Sequence, residues 1–314
     1  MQQTISRNSK TQINVVLGNS SSSSIPKDDW YTDVEQKEKH IPLKNIQKEL
    51  KKLVGMEELK ELINEIYAWL YINKCRETVQ LKTGKQVLHM MFKGNPGTGK
   101  TTVARMIGKL FHDMNVLSKG HIIEAERADL VGEYIGHTAQ KTRELIKKAV
   151  GGILFVDEAY SLARGGEKDF GKEAIDTLVK AMEDQQNDFI LILAGYSNEM
   201  DHFLTLNPGL PSRFPVVVSF PDYTVDQLME IAKQMTKERE YKLSYDAERK
   251  LRNHLIQTVS KEGGTFSNGR YIRNLLEKSM RKQSMRLLKE GKEDKEYLMM
   301  ITEKDLHLAE QSRI

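Results

Sequence analysis

Hydrophobic residues follow two periods along this chain. Short consecutive apolar runs lie at 88–92 (LHMMF), 121–125 (HIIEA), 152–156 (GILFV), 189–194 (FILILA) and 215–220 (PVVVSF). Their length and β-former content are those of buried strands. Elsewhere apolar positions recur every three or four residues, as at Leu50, Leu53, Leu59, Leu62, Ile63, Ile66 and Leu70, with Gly55 dividing that stretch into two helices. Strands alternating with helices predict an α/β fold: a five-stranded parallel sheet with helices on both faces. From Tyr223 onward no strand pattern recurs. Helices are predicted over 224–239, 245–259, 267–289 and 302–311, with Thr224, Ser244 and Thr302 at N-cap positions, as a small all-helical C-terminal domain. Residues 1–40 are polar, include the run Ser20–Ser24, and carry too little apolar surface to order themselves. The predicted division is therefore a disordered tail at 1–40, an α/β domain with N-terminal helices at 41–222, and a helical domain at 223–314.

The first strand runs into Gly94-Asn95-Pro96-Gly97-Thr98-Gly99-Lys100-Thr101-Thr102, and a helical pattern follows. Gly, four residues, then Gly-Lys-Thr between a strand and a helix is the P-loop arrangement. Glycines let backbone N–H groups turn inward around phosphate oxygens, and the helix start adds its positive dipole end. Lys100 reaches the β- and γ-phosphates, and the Thr101 hydroxyl ligates Mg²⁺. The third strand ends in Asp157-Glu158, the Walker B pattern. Open parallel sheets bind ligands at the carboxyl ends of their strands. Asp157 then holds Mg²⁺, and Glu158 orients and deprotonates the attacking water. An apolar turn at Leu53-Val54-Gly55 is as suited to helix packing as to an adenine base.

Composition narrows the classes further. Net charge is +4, a mild excess that neither requires nor excludes nucleic acid. Cys75 is the lone cysteine, so no intramolecular disulfide forms. No apolar run approaches the ~20 residues of a membrane span, and the N-terminus lacks the apolar region of a signal peptide. The expectation is a soluble, cytoplasmic protein. His112, His121 and His137 have no metal-ligand spacing and read as surface or packing residues.

Together the motifs GNPGTGKTTVAR, DLVGEYIGHT, ILFVDEAYSL, LAGY, NPGLPSRFP, FPDY and NGRYIRNLLE resemble the CbbX/CfxQ group of AAA+ ATPases over about residues 45–312. The resemblance implies an AAA+ core with a helical lid, using ATP and Mg²⁺. It implies that Arg213 is an arginine finger reaching a neighbouring subunit's nucleotide, and that Arg270 is sensor 2, with Arg273 as the fallback. Sensor 1 is Tyr196 or Asn198. Tyr134-Ile135-Gly136 matches pore loop 1, which grips a polypeptide client in the channel of a homo-hexamer. The likeness extends to the sporulation branch of the group, which implies a link to spore maturation.

The leading expectation is thus a ring-forming ATPase that remodels a protein client without a membrane partner. The alternative is a nucleic-acid machine of clamp-loader or initiator type, kept open by the basic stretch Arg270–Lys295. That stretch interleaves Glu277, Glu290 and Glu293, as a solvated helix face does. A scaffold that binds ATP without turning it over has no need of Glu158 or Arg213.

Overall fold

In the computed structural model, which describes residues 13–15, 40–84, 87–134, 136–164, 169–186, 188–206 and 209–308, each predicted apolar run becomes a strand. In chain order the elements are β1 (Ile13–Val15), α1 (Ile41–Leu50), α2 (Glu57–Thr78), β2 (Met90–Gly94), α3 (Lys100–Asp113), β3 (Ile122–Ala125), α4 (Arg127–Leu130), α5 (His137–Ala149) and β4 (Ile153–Val156). A 3₁₀ turn, Ala159–Ala163, leads to α6 (Gly171–Asp184), β5 (Ile190–Gly195) and α7 (Ser197–Leu206); a second, Pro211–Arg213, leads to β6 (Val216–Phe220). The remainder comprises α8 (Val225–Glu238), β7 (Lys242–Leu243), α9 (Tyr245–Glu262), α10 (Asn268–Glu290), α11 (Lys295–Met299) and β8 (Met300–Ile301).

The described chain divides into two compact units. One runs to Leu50 and includes Glu57–Lys93 and Lys100–Ser219; the other holds Lys51–Met56, Gly94–Gly99 and the chain from Phe220 onward. The division is not contiguous in sequence: the phosphate-loop segment Gly94–Gly99 is grouped with the helices, and the helix it leads into is grouped with the sheet.

In the α/β unit the strand order is β1-β6-β2-β5-β4-β3. β2 runs parallel to β5, β5 to β4, and β4 to β3. β4 and β5 are buried along their whole length, as a sheet covered on both faces requires. Helix α6 turns Ala174, Ile175, Leu178, Ala181 and Met182 onto this core, a spacing that puts all five on one face. The sixth strand departs from the expectation of a wholly disordered tail. Ile13-Asn14-Val15 lies parallel to Val216-Val217-Val218 at the sheet edge. It is the stretch of the tail where β-branched residues concentrate, and it meets the unpaired N–H and C=O groups that a sheet edge offers. The rest of residues 1–39, including the serine run, lies outside the described residues.

The helical unit packs Leu228, Met229 and Ala232 of α8, Leu251 and Leu255 of α9, and Ile272 and Leu276 of α10 around Phe266 and Leu306. Thr224 and Ser244 cap α8 and α9 as expected, each accepting a backbone N–H three residues on. Two expectations fail. Of the helix expected at 302–311, the described residues 302–308 contain only a 3₁₀ turn, Glu303–Asp305, and 309–311 lie outside the described residues. A strand pair also exists here, with Lys242-Leu243 parallel to Met300-Ile301. Asp305, 1% exposed, accepts Arg286 Nε at 2.8 Å on one oxygen and Arg286 Nη2 at 2.9 Å, Thr302 N at 2.8 Å and Thr302 Oγ1 at 2.8 Å on the other. Thr302 thus caps that turn as expected, exchanging the two hydrogen bonds of a capping box with Asp305, and Arg286 ties the same carboxylate to α10.

Burial alone would raise the Asp305 carboxyl, but the Arg286 and Thr302 hydrogen bonds outweigh it and hold it below the usual carboxylate range. Its contribution to stability is therefore complete above the unfolded-chain value of about 4 and is lost as pH falls through the lower folded value. Asp305→Asn should cost about 2–3 kcal/mol near neutral pH, because it strands the Arg286 charge. Urea titrations should show the gap from the parent protein closing below about pH 4.

Candidate nucleotide site

The acidic pair sits where the strand order predicts. Val156, the last residue of β4, is in register with Leu193, and Leu193 with Met91, while β5 runs on to Gly195 and β2 to Gly94. The chain leaves β4 as Asp157-Glu158 at that carboxyl edge. Asp157 N still donates to Ala125 O at 2.9 Å, continuing the ladder, and Asp157 Oδ1 accepts Glu158 N at 2.9 Å. Glu158 is exposed and adopts φ 47°, ψ 41°. A non-glycine residue in the left-handed region is uncommon and is concentrated at functional sites. Lys100, Thr101 and Thr102 form the first turn of α3, whose Val103, Ala104, Ile107, Leu110 and Phe111 anchor it in the core. The first-turn N–H groups of such a helix have no intrahelical partner and suit an anion.

The donor set fits Mg²⁺. Among the described residues no cluster of three or more His, Cys, Asp or Glu side chains could hold a metal alone. Mg²⁺ characteristically takes one or two carboxylates and completes its shell with water and substrate phosphates. Asp157, oriented by its bond to Glu158 N, and the Thr101 hydroxyl are the residues that would hold it.

In the helical unit, the loop Gly94–Gly99 is fixed by residues that the motif alone does not name. Gly97 has φ +71°, and a Cβ on it would lie 2.3 Å from Ser267 O and 2.7 Å from Arg270 N. Only glycine fits. Its carbonyl accepts Gly269 N at 3.0 Å. Asn268, fully buried with φ 46°, donates to Asp222 Oδ1 at 2.7 Å and Phe266 O at 3.0 Å, and accepts Tyr223 N at 2.9 Å. Asp222 also receives Asn95 Nδ2 at 2.9 Å. The Tyr223 hydroxyl, pushed up to about 12 by burial, donates to Thr98 O at 3.0 Å. Asp222, Tyr223 and Asn268 thus hold the phosphate loop. Their signal was present in FPDY and NGR, which the sequence reading used only as family marks. Arg270 is exposed and adjoins Gly97, while Arg273 is exposed one helical turn on. Val54 is buried and Met56 lies beside Gly99, so the Leu53-Val54-Gly55 turn borders the loop.

Arg213 is elsewhere. It precedes β6, at the end of the sheet where the strands begin, whereas Asp157 and Glu158 follow β4 at the end where they finish; the last residues of β6 and β2, Phe220 and Gly94, lie side by side. Arg213 Nη1 donates to Gly209 O at 2.6 Å, and its Nε donates to Glu183 Oε1 at 3.1 Å. That pair is partly exposed, hence weak and releasable. The two sensor 1 candidates also separate. Tyr196 stands at the β5 tip with its ring 5.7 Å from that of Tyr160, while Asn198 is exposed in the first turn of α7.

The loop between α4 and α5 is pinned at its base. Gly132 N donates to Thr138 Oγ1 at 2.9 Å, Thr142 Oγ1 donates to Leu130 O at 3.1 Å, and Lys141 Nζ donates to Ala128 O at 2.8 Å. Tyr134 is 66% exposed, and among the described residues its aromatic contact is with the edge of the His137 ring. Ile135 lies outside the described residues. His121 packs as expected, its Nε2 2.7 Å from Lys148 O. No described helix is long and apolar enough to cross a membrane.

Comparison with known proteins agrees with this geometry. Residues 90–222 match the family model described as "ATPase family associated with various cellular activities (AAA)", and residues 224–314 match the AAA lid domain. Stage V sporulation protein K of Bacillus subtilis (strain 168) is 68% identical over 275 residues, covering 87% of this chain and 85% of that protein. Protein CfxQ of Xanthobacter flavus is 44% identical over 256 residues, 81% of this chain and 80% of the relative. The chloroplastic ribulose bisphosphate carboxylase/oxygenase activase of Cyanidioschyzon merolae is 43% identical over 238 residues, 76% and 80%. This chain therefore belongs to the AAA ATPase family, as an ATP hydrolase with an AAA lid domain, in the group that includes stage V sporulation protein K and CfxQ.

Proposed function

We propose that this ATPase works in a ring, as a homo-hexamer, that remodels a protein client, with a link to sporulation suggested by the name of its 68% identical relative. The observation that carries the ring is the placement of Arg213 at the opposite end of the sheet from Asp157 and Glu158. A guanidinium there serves a neighbouring copy's nucleotide and not its own chain's, which calls for a head-to-tail interface that closes on itself.

Residue roles follow from position. The backbone of Gly94-Asn95-Pro96-Gly97-Thr98-Gly99 and the first turn of α3 cradle the ATP phosphates. Lys100 supplies a positive charge to the β- and γ-oxygens. Asp157 and Thr101 hold Mg²⁺, which when bound neutralises phosphate charge. Glu158, exposed beyond the strand tip, accepts the proton of the attacking water. Arg270, next to Gly97, reads the nucleotide from the lid as sensor 2, and Tyr196 or Asn198 reads it from the β5 end as sensor 1. The exposed Tyr134 on its pinned loop offers a large, stiff contact surface to a polypeptide client. A protein client also suits the charge pattern better than nucleic acid does. Arg286 pairs with Asp305 and Glu290, and Lys292 with Glu290, so the basic stretch is partly neutralised within the chain.

Three outcomes are expected. Lys100→Ala should abolish ATP binding in a fluorescent-nucleotide titration, whereas Glu158→Gln should bind ATP and lose about 10²–10⁴-fold in turnover; wild-type turnover in Glu158→Gln would remove it as the base. Mixing inactive Arg213→Ala and inactive Lys100→Ala subunits should restore part of the ATPase, because one supplies the finger and the other an intact pocket. Absence of rescue in mixed assemblies verified by sizing would rule out action between subunits. Tyr134→Ala should keep stability within about 0.5 kcal/mol while client-stimulated turnover disappears; undiminished stimulation would take Tyr134 out of client handling.

A further inference from the structure

Arg127 has no part in the mechanism above, yet its guanidinium joins three segments of the α/β unit. It is the first residue of α4, which follows β3. Its Nη1 donates to Ser161 O at 2.6 Å, and its Nη2 donates to Asp169 Oδ1 at 2.5 Å. The same Oδ1 accepts Gly171 N at 2.9 Å, at the start of α6. The pair is shielded: the Asp169 side chain is 13% exposed and that of Arg127 34%, so the contact is worth more than an open surface pair. Gly171 leaves the room for it, since a Cβ there would collide with Leu162 O and lie 2.9 Å from Arg127 Nη1. α4 is a single turn, too short to hold itself. Its Leu130 is buried in the core, however, and the Leu130 carbonyl accepts Thr142 Oγ1, so Arg127 reaches out from a fixed foot.

Ser161 matters because of the residue its turn starts from. Ser161 N donates to Glu158 O at 2.8 Å, which closes the Ala159–Ala163 turn on Glu158. Glu158 is held at φ 47°, a conformation that is costly for a residue with a Cβ and persists only under outside restraint. Backbone angles set where a side chain points, so relaxation to the ordinary right-handed region would re-aim the carboxylate. The Arg164 N–H reaches Ser161 O only at 3.3 Å, which leaves the guanidinium as the firmer hold. The Tyr160 ring ties the turn to β5, packed so closely on Gly195 that a Cβ there would come within 2.7 Å of it; Arg127 ties the turn to α4 and α6. We infer that Arg127 is a positioning residue for hydrolysis: its double grip on Ser161 O and Asp169 keeps the turn, and with it the left-handed Glu158, in the shape that aims the carboxylate. This rests on the reading of Glu158 as the base. Arginine suits the role because its rigid fork serves two acceptors at once, whereas lysine offers a point charge.

The test is Arg127→Lys, which keeps a charge beside Asp169 and gives up the fork. Steady-state ATPase should show kcat down about tenfold, as for the loss of one charge-assisted hydrogen bond, with KM for ATP unchanged. Adding Arg127→Lys to Glu158→Gln should cause no further loss in single-turnover assays, because groups acting as a unit are non-additive. Asp169→Asn, which keeps an acceptor for Gly171 N and drops the charge, should lower kcat by less, because the bond to Ser161 O remains. Wild-type kcat in Arg127→Lys, a loss confined to KM, or a loss that multiplies fully with that of Glu158→Gln would overturn the role of Arg127 while leaving Glu158 as the base. Should Arg127→Lys fail to fold, wild-type kcat in Asp169→Asn would overturn it alone. Full activity of Glu158→Gln by itself would overturn the base assignment and this inference with it.

Discussion

Gly97 and the start of α10 approach so closely that neither can change without the other. Ser267 O and Arg270 N occupy the space that a side chain at 97 would need, and Gly269 N is bonded to the Gly97 carbonyl. The phosphate loop is thereby shaped from outside by a polar hub in which the buried Asn268 binds the exposed Asp222 and the backbone of the half-buried Tyr223. Buried hydrogen-bonding groups left unpaired are costly, so the hub specifies one loop conformation. The first turn of α3, by contrast, is anchored in the sheet's core.

The carboxyl edge of the sheet is built by a different principle. A parallel sheet with both faces covered drives its strands to be apolar throughout, so the first polar residues fall at the strand ends. Asp157 and Glu158 follow Ile153-Leu154-Phe155-Val156 for that reason. The left-handed Glu158 then turns the chain sharply into the 3₁₀ turn that carries Tyr160. Strain of this kind persists only where surrounding contacts over-determine it. Here those contacts are the ladder bond from Asp157 N, the Asp157 carboxylate on Glu158 N, and the Tyr160 ring packed on Gly195.

Much of this was legible from the amino acids, and the failures are instructive. The apolar runs located five strands to within two residues, because burial on both faces leaves no polar alternation to confuse the pattern. Thr224 and Ser244 marked helix starts because an N-cap is a local contact. In the described part of the predicted helix at 302–311, Thr302 does cap the chain with Asp305 but only one 3₁₀ turn follows, and nothing in the local pattern signalled that Asp305 would also bind Arg286, nineteen positions away. The Ile13–Val15 strand was missed because its stability comes from the edge of β6 and not from its own composition.

Sequence by itself located the candidate nucleotide site: Gly94–Thr102 and Asp157-Glu158 are contiguous motifs whose residue types have few other uses, and the period of the flanking apolar positions put them at strand ends. It also carried the family. Only the tertiary structure decided which residues support that chemistry. Asn268 and Asp222 reach the phosphate loop across long stretches of chain. Gly195 is bare because of a tyrosine thirty-five residues earlier, and Arg213 stands at the far end of the sheet from Glu158. The physical reason is the same in each case. A motif is local and can be read along the chain, whereas close packing and hydrogen-bond satisfaction are set by partners that come together only on folding.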